Sequence, residues 1–272
     1  TRPLEQIATA VDTIGGTNLQ ARIPEVSPDV ELRQVTRVLN DMLVRLEGAF
    51  AAQRSFIADA SHELRSPLAN LRGTVEVSLR RSRSPDEYRE ALNVALAEAE
   101  RLSRLTDDLL VLSRVDACQL ALDLHSCDLS DIARGAVAAL AARAQEKGVQ
   151  LRLDAQPAAI VGDAHRLRQA IDNLLDNALR YAPTGSDVVV TARQEDGHAI
   201  LSVQDAGPGL SEEEQARIFD RFYRVDVSRA RDSGGLGLGL PIVKGIIEAH
   251  HGQVSVRSKP GQGCVFNVFL PA

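Results

Sequence analysis

The first 115 residues carry narrow apolar stripes with heptad spacing, and these stripes limit the folds that the chain can adopt. The stripes are formed by Leu4, Ile7, Val11 and Ile14, and then, after a connector with Leu19, Ile23 and Pro24, by Leu32, Val35, Leu39, Met42 and Leu46. A stripe one residue wide needs another helix to cover it. A helix pair packed within one chain would satisfy this need. Stripes this short and narrow favour a parallel four-helix coiled coil in a dimer.

A second pair of helical patterns follows. The apolar positions continue past Pro67 as Leu64, Leu68, Leu71, Val75 and Leu79, and they return after a charged turn as Leu92, Leu96, Ala99, Leu102, Leu105, Leu109, Leu112 and Val115. Two antiparallel helices joined by a turn at 80–85 make a hairpin, and two hairpins make a four-helix bundle. Trp is absent and aromatic residues are only 3%, so aliphatic side chains must form the core.

The pattern changes after Asp116, where helices begin to alternate with strands. We predict a linker with a short strand over 117–127, and helices over 128–147, 163–181, 212–222 and 240–250. Strands are predicted over 149–154, 188–193, 199–204, 253–257 and 265–270. The predicted fold class is therefore multidomain: an all-α coiled coil and helical hairpin, then an α+β two-layer sandwich with helices on one face of a mostly antiparallel sheet.

Composition excludes several classes of protein. The net charge is -6 without a long basic run, which argues against nucleic-acid binding as the main activity. Cys118, Cys127 and Cys264 have neither metal-binding nor disulfide spacing, so a reducing compartment is expected. The sequence contains no run of about 18 apolar residues, the length that a membrane-spanning helix needs. Because the sequence starts at Thr1, without Met and within a helical pattern, we expect a fragment of a longer protein.

One segment places a histidine on the polar side of the long helix. Residues 61–67 read Ser-His-Glu-Leu-Arg-Ser-Pro, and His62 precedes the stripe residue Leu64 by two positions, so it is expected to face solvent. An exposed imidazole can attack an incoming phosphate, and Glu63 can accept the ring proton so that the other nitrogen stays nucleophilic. Taken alone, such a histidine is more often an ordinary surface residue.

A second segment carries two asparagines one turn apart on the polar face of the helix predicted over 163–181. The amide oxygens of Asn173 and Asn177 can meet a Mg²⁺ ion that also holds phosphates, because Mg²⁺ prefers oxygen and takes few protein ligands. Arg180 lies one turn further on and can reach a phosphate. Taken alone, a polar helix face with two solvated asparagines is an equally good interpretation.

Two glycine-rich segments complete the set. Asp205 follows a strand in Asp-Ala-Gly-Pro-Gly, where a carboxylate can accept a hydrogen bond from an adenine amino group and the glycines allow close approach. Residues 234–240 read Gly-Gly-Leu-Gly-Leu-Gly-Leu and lead into a helix whose N–H groups can hold phosphate. This spacing fits neither a dinucleotide nor a Walker site, and its glycine content predicts a mobile lid. A plain turn and a flexible loop are the alternatives.

In their order along the chain, these four segments resemble the H, N, G1 and G2 boxes of sensor histidine kinases. Residues 217–224 match the F box of that family, and residues 1–48 are similar to a HAMP signal-relay domain. The resemblance implies four regions: a HAMP-like coiled coil over 1–48, a dimerisation and phosphotransfer hairpin over 49–116, a linker over 117–127 and an ATP-binding domain over 128–272.

The resemblance implies ATP-dependent autophosphorylation of His62, with Glu63 as its general base. The phosphoryl group would then pass to an aspartate in the receiver domain of a response regulator. Four residues after the histidine, the family often has Thr or Asn, which positions water to remove phosphate from that regulator. Here the residue is Ser66, whose hydroxyl can also orient water, so phosphatase activity is a further expectation.

The same resemblance implies ATP and Mg²⁺ as cofactors. Asn177 would hold Mg²⁺, with Asn173 and Arg180 near the phosphates, while Tyr181 would lie against the nucleotide and Asp205 would bind adenine. The glycines that would shape the pocket and its lid are Gly207, Gly209, Gly235, Gly237 and Gly239.

The implied assembly is a homodimer at the cytoplasmic face of the bacterial inner membrane, as part of a membrane-anchored full-length protein. Two alternatives compete with a kinase. A gyrase-type ATPase would share the nucleotide domain, but such proteins lack a His-Glu helical hairpin ahead of it. A non-catalytic dimeric scaffold would relay conformation only, and the intact N, G1 and G2 residues argue against it.

Overall fold

The computed structural model describes residues 20–24, 30–81, 84–117, 119–225 and 236–272. The chain forms two compact units, Thr1–Arg65 and Ser66–Ala272. A single 50-residue helix, α1, covers Val30–Leu79 and so contributes to both units. The helix predicted from Leu4 to Ile14 lies outside the described residues.

In the first unit, a short connector packs on the beginning of α1. Ile23 is only 2% exposed and forms an apolar cluster with Leu43, Leu32 and Leu39. Asn40 fixes the backbone of Ile23 at both ends, since its Oδ1 accepts from the Ile23 N–H at 2.9 Å and its Nδ2 donates to the Ile23 carbonyl at 3.0 Å. The connector is therefore attached to the helix by burial and by paired hydrogen bonds.

Only part of the predicted heptad stripe is buried by this contact. Leu32 and Leu39 pack against the cluster, but Val35 is 50% and Met42 49% exposed. The physical reason is the position of the connector, which covers one side of α1. No described residue of the chain covers the other apolar side, where Val35 and Met42 lie.

In the second unit, α1 ends at Leu79 and a second helix, α2, covers Pro85–Asp116, as the predicted turn requires. Ser84 and Glu87 form a capping box, and proline occupies the first turn. Helix α1 continues through Pro67. Several stripe residues are exposed in the chain, including Leu68 at 57% and Leu92 at 67%, whereas Leu105 and Leu112 are 1% exposed.

Among the described residues, the α+β sandwich contains two sheets. A five-stranded sheet has the order β2-β4-β5-β7-β6, in which only β2 and β4 are parallel. The strands are His125–Asp128 (β1), Gln150–Ala155 (β2), Ala159–Gly162 (β3), Asp187–Glu195 (β4), His198–Gln204 (β5), Gln253–Ser258 (β6) and Cys264–Pro271 (β7). Strand β3 was not predicted, and it pairs antiparallel with β1 in a separate two-stranded sheet. The prediction of a mostly antiparallel sheet is confirmed.

In the described part of the chain, four helices accompany the sheet: Leu129–Lys147 (α3), Ala164–Tyr181 (α4), Glu212–Arg217 (α5) and Gly239–Ala249 (α6). Alternate residues of the central strands are fully buried, among them Val190 and Leu201, as expected for a sheet with helices on one face. Our predicted helix over 212–222 was too long, because regular helix ends at Arg217. Phe222 has a φ of 57°, a left-handed conformation that cannot continue a helix.

The end of α2 packs on α6 within the second unit. A Cβ added to Gly245 would come within 2.7 Å of the Val115 Cγ1, so the valine occupies the space over a glycine backbone. Asp116 forms an ion pair with Arg221 beside this contact. Of the three cysteines, Cys127 and Cys264 are free thiols, and Cys118 lies outside the described residues.

Asp163 joins the linker to two helices of the sandwich. It is the N-cap of α4, and its Oδ1 accepts from the N–H groups of His165 and Arg166 at 3.0 Å. Its Oδ2 accepts from the N–H of Asp123 at 3.1 Å. Its own N–H donates at 2.9 Å to Nε2 of His250, a buried imidazole at the end of α6. One residue thus connects the linker, the start of α4 and the end of α6.

Replacing Asp163 with Ala is expected to lower the free energy of unfolding by about 2 kcal/mol at pH 7, the upper end of the range for a lost N-cap. Burial opposes ionisation of Asp163, but backbone hydrogen bonds from Arg166, Asp123 and His165 outweigh it and lower the pKa from 3.8. The carboxylate therefore stabilises the fold above about pH 4, and this contribution disappears as the pH falls through the lower native pKa.

Denaturant titrations of wild type and Asp163→Ala between pH 3 and pH 8 check this expectation. Asp154→Ala is the matched control, because Asp154 is exposed on strand β2. A stability difference that is the same at pH 3 and pH 7 would contradict the proposed charge dependence.

Candidate functional site

The polar face of α4 carries four of the predicted site residues. The opposite face is buried, with Leu167, Ile171, Leu174, Leu175 and Ala178 at 3% exposure or less. Asn173, Asn177 and Arg180 are half-buried, and Tyr181 is 47% exposed at the end of the helix. The helical period therefore fixes one face in the core and presents amide and guanidinium groups on the other. Burial lowers the pKa of the Arg180 guanidinium below its ordinary value.

Asn173 has an unsatisfied polar atom. Its Nδ2 is buried and has no hydrogen-bond partner within the described part of the chain. A buried amide without a partner costs about 1–3 kcal/mol, so such atoms are uncommon away from ligand sites. A Cβ added to Gly239 would lie 3.6 Å from Cγ and Oδ1 of Asn173. The first residue of α6 therefore lies against this amide.

Helix α6 begins at Gly239, beside Asn173, and its first backbone N–H groups belong to Gly239 and Leu240, because Pro241 has none. Within the described residues, no side chain caps its N-terminus. The first N–H groups of a helix have no intrahelical acceptor, and together with the helix dipole they favour an anion. The amide of Asn173 and the start of α6 consequently offer hydrogen-bond donors in one place, as a phosphate chain requires.

Asp205 lies at the end of β5 in a buried position, with 4% of its surface exposed. Its Oδ1 accepts from the Gly207 N–H at 2.7 Å, and its backbone N–H donates to the Cys264 carbonyl at 2.9 Å. Burial raises the pKa of the Asp205 carboxyl from 3.8, against the effect of the hydrogen bond from Gly207. The surrounding backbone thus fixes the position of a carboxylate in a poorly solvated place.

Gly207 brings the Asp205 loop onto the end of α4. A Cβ at this position would lie 2.7 Å from Asp205 Oδ1, 3.2 Å from Tyr181 Cβ and 3.3 Å from the Tyr181 carbonyl oxygen. A larger residue would push the loop and the helix apart. The glycine therefore allows the close approach that the sequence pattern predicts.

Two further predicted glycines also have neighbours at very short range. Gly237 has a φ of 70°, and a Cβ there would lie 2.8 Å from the carbonyl carbon of Phe222. Gly209 has a φ of 71°, and a Cβ there would lie 2.0 Å from the carbonyl oxygen of Lys259. Gly235 lies outside the described residues, as does Gly234.

His62 lies on α1 and is exposed, as predicted from the stripe. Glu63 is half-buried, and consecutive side chains on a helix point about 100° apart. Ser66 is exposed one turn further along. His62 and Glu63 belong to the first unit and Ser66 to the second. The structure brings together Asn173 with Gly239, and Tyr181 with Asp205 and Gly207.

These residues fit a nucleoside triphosphate with a magnesium ion. The Asn173 amide and the start of α6, which have no side-chain partner or cap among the described residues, suit phosphate oxygens. The buried Asp205 carboxylate suits a nucleobase amino group. Within the described residues, no group of three or more His, Cys, Asp or Glu side chains could hold a metal ion. A cation bound mainly by phosphates, with amide oxygen from Asn177, fits that donor set because Mg²⁺ needs few protein ligands.

The sequence did not predict the residues that support this site although they lie far from it along the chain. A Cβ added to Gly263 would lie 2.0 Å from the carbonyl oxygen of Asp205. Ser258 Oγ donates to the Gly263 carbonyl at 2.6 Å and accepts from the Leu210 N–H at 2.8 Å. The Gly-Gln-Gly pattern over 261–263 was the one available signal. Lys147, which donates to the Leu179 and Arg180 carbonyls, gave no local signal.

Three protein-family descriptions match the chain in succession. The HAMP domain matches residues 1–48, and the His Kinase A (phospho-acceptor) domain matches residues 52–118. The histidine kinase-, DNA gyrase B- and HSP90-like ATPase family matches residues 162–272. The ATPase match contains the α4 asparagines, Asp205 and the glycines, and the phospho-acceptor match contains His62.

Comparison of the chain with individual proteins agrees with these family matches. The chain is 37% identical to the sensor histidine kinase CusS of Escherichia coli strain K12, over 99% of this chain and 56% of CusS. It thus spans about half the length of the curated relatives it matches. The solved Acinetobacter baumannii histidine kinase AdeS superimposes with a TM-score of 0.63 and 26% identity, covering 77% of this chain and 97% of that one.

A second solved structure is full-length ShkA in complex with AMPPNP, with a TM-score of 0.61 and 29% identity. It covers 80% of this chain and 46% of ShkA. The fold, the ordered domain matches and the similarity across nearly the whole chain agree with one another. The chain belongs to the sensor histidine kinases.

Proposed function

We propose that this chain is the kinase part of a two-component sensor, which phosphorylates His62 with ATP and passes the phosphoryl group to an aspartate of a response regulator. The observation that carries the proposal is the buried Asn173 Nδ2, which has no hydrogen-bond partner among the described residues, against a start of α6 that no described side chain caps. A donor in that position needs an acceptor, which a phosphate oxygen would supply. The exposed His62 imidazole is available as a nucleophile.

In this proposal, α4 and the loop after β5 bind ATP from two sides. Asp205 accepts a hydrogen bond from the adenine amino group, and Tyr181 lies against the nucleotide where Gly207 allows close approach. Asn173, Arg180 and the α6 N–H groups bind phosphate oxygens. The glycines at 207, 209, 237 and 239 shape the pocket, and Gly235 is proposed to belong to its lid.

Asn177 is the proposed protein ligand of Mg²⁺, one helical turn from Asn173 on the same half-buried face. When bound, Mg²⁺ supplies charge neutralisation between phosphate oxygens. The amide oxygen of Asn177 is neutral, so it can orient a cation while the phosphate oxygens supply the negative charge around it.

For the chemical step, one imidazole nitrogen of His62 forms a bond to the γ-phosphorus, and the bond between that phosphorus and the β–γ bridging oxygen breaks. Glu63 is proposed to accept the proton of the other ring nitrogen, which keeps the attacking nitrogen nucleophilic. ADP leaves with the bridging oxygen. The protein contributes mainly positioning and charge stabilisation, as is usual for phosphoryl transfer.

The proposed assembly is a homodimer. The exposed apolar residues of α1 and α2, such as Met42, Leu68, Leu92 and Leu96, lie on helices whose stripes no other described element fully covers. A second copy would cover them with matching stripes and form a four-helix bundle. We propose that 1–48 relays the signal, 49–116 dimerises and carries His62, 117–127 acts as a hinge and 128–272 binds ATP.

The proposed location is the cytoplasmic face of the bacterial inner membrane, as part of a membrane-anchored protein. Among the described residues, no helix combines the length and apolarity needed to cross a bilayer. Ser66, exposed one turn after His62, is proposed to orient water for removal of phosphate from the response regulator.

Incubation of the full chain with γ-labelled ATP and Mg²⁺ tests the proposed activity. Protein-bound label that is lost in acid and kept in base is expected, because a phosphorus–nitrogen bond has this stability profile. Release of labelled phosphate without labelled protein would favour a gyrase-type ATPase. Neither labelled protein nor released phosphate would favour a non-catalytic scaffold.

Replacing Asp205 with Asn is expected to reduce the preference for ATP over GTP at least tenfold, roughly the value of a hydrogen bond to a charged group. The carboxylate accepts from an adenine amino group and repels the guanine carbonyl oxygen, whereas an amide can also donate to that oxygen. Competition of each nucleotide against a fluorescent ATP analogue measures the ratio. Asp154→Asn, exposed on β2, should leave it unchanged, and an unchanged ratio in Asp205→Asn would contradict adenine recognition.

A further inference from the structure

We infer that Lys147 is a positioning residue for the nucleotide, holding the last turn of α4 in its binding geometry. Lys147 lies at the end of α3, on a different helix from the residues that would touch ATP. The inference rests on the proposed function, since it concerns the same pocket. It assigns no contact between Lys147 and the nucleotide.

The contact itself is a side-chain cap on a helix C-terminus. Lys147 Nζ donates to the carbonyl oxygens of Leu179 and Arg180, the latter at 2.6 Å. The last carbonyls of a helix lack intrahelical donors, and a cation there also favours the negative end of the helix dipole. Helix α3, in contrast, is closed by Gly148 in the left-handed conformation. Helix α4 ends at an extended Ala182, whose N–H donates to the Ala178 carbonyl, and Lys147 donates to the next two carbonyls, those of Leu179 and Arg180.

The capped turn contains the residues that face the nucleotide. Arg180 is one of the two residues whose carbonyl is held, and Tyr181 follows it directly. A Cβ on Gly207 would already be 3.2 Å from Tyr181 Cβ, so the Asp205 loop packs closely on this turn. A shift of the last turn would therefore move Arg180 and Tyr181 relative to Asp205.

The surroundings of Lys147 are unfavourable for its charged ammonium group. Burial lowers the pKa of Lys147 from 10.5, and the nearby positive charges of Arg143 and Arg180 add to this effect. Arg143 is itself paired with Asp176 on α4. An ammonium group kept close to two guanidinium groups needs a compensating interaction, and the two carbonyls provide one. Since its donors are directed to the helix end, Lys147 acts through Arg180 and Tyr181.

The experiment compares Lys147→Met, Lys147→Arg and Lys147→Gln with wild type in the full chain. The probe is a fluorescent ATP analogue, and the kinetic readout is His62 phosphorylation as a function of ATP concentration. Lys147→Met is expected to raise Kd and KM about tenfold, with kcat within twofold, because binding geometry and not the chemical step is altered. Lys147→Arg should restore Kd to within about threefold, since it keeps charged donors. If the Met variant does not fold, Lys147→Gln, which keeps a neutral donor, takes its place in the comparison.

Lys244→Met is the matched control, because Lys244 is exposed on α6 and pairs with Glu248. It should leave Kd unchanged. A lower melting temperature of Lys147→Met with an unchanged Kd would overturn the inference in favour of a purely structural role, as would failure of Arg to restore Kd. Both results would leave the proposed kinase intact. Absence of analogue binding by the wild-type chain would overturn the proposed function together with this inference.

Discussion

Replacing His62 with Gln is expected to abolish the acid-labile label while leaving the affinity for the ATP analogue within twofold of wild type. Glutamine keeps similar polarity on an exposed helical position, so the helix should tolerate it. It has no nitrogen that can act as a nucleophile towards phosphorus. Loss of the nucleophile removes the proposed reaction entirely, so the expected decrease in labelling reaches the detection limit.

The control for this change is His125→Gln, since His125 is another exposed histidine and lies on β1. That variant should label like wild type, and both variants should keep the wild-type melting temperature within about 2 °C. Labelling is measured on denatured protein after acid and base treatment. Acid-labile label that persists in His62→Gln would show that a different side chain accepts the phosphoryl group.

Local signals predicted much of the sandwich. The N-caps Asp128 and Asp163 and the left-handed Gly148 mark helix ends, and each uses backbone geometry within a few residues. Asp196 and Gly197, with φ of 48° and 75°, form the turn between β4 and β5. Such features can be predicted because their hydrogen bonds lie within the segment itself.

The two errors in the sandwich have long-range causes. Strand β3 is only four residues long, and its partner β1 lies more than thirty residues away. The helix predicted over 212–222 continued in pattern, but Phe222 turns left-handed where its N–H donates to the Gly237 carbonyl at 3.0 Å. Neither contact leaves a periodic trace in the sequence. Tertiary contacts therefore decided both elements.

The heptad stripes predicted helices correctly but not which apolar residues the chain itself buries. Leu39 is covered by Ile23 because Asn40 binds the connector, whereas Met42 is exposed only three residues later. The spacing alone cannot distinguish a stripe covered by the same chain from one left for another copy. That distinction required the position of the connector.

In the candidate site, too, residues placed by local spacing could be predicted, whereas residues that act through long-range contacts could not. Asn173, Asn177 and Asp205 could be named from the sequence because spacing and element boundaries place them. Gly263 and Lys147 act on the site through backbone atoms of distant residues, and a single sequence gives no account of such contacts. Support for a site is thus harder to predict than the groups that would touch the ligand.

Replacing Gly263 with Ala is expected to abolish nucleotide binding and to lower stability by about 3 kcal/mol or more, a shift in melting temperature of roughly 10 °C. Gly263 has a φ of 76°, and a Cβ there would lie 2.0 Å from the Asp205 carbonyl oxygen and 2.9 Å from its carbonyl carbon. These are backbone atoms, so a rotamer change cannot relieve the clash. The loop that holds Asp205 must move, and the carboxylate moves with it.

Gly261→Ala separates this clash from backbone strain. Gly261 has a φ of 79° in the same loop, but nothing lies within 4 Å of a Cβ added there. Alanine at this position pays only the cost of the left-handed conformation, about 1–2 kcal/mol, and should bind the ATP analogue normally. Thermal unfolding and analogue titration of both variants give the comparison. Equal losses in the two variants would show that conformational strain, and not the contact with Asp205, explains the requirement for glycine at 263.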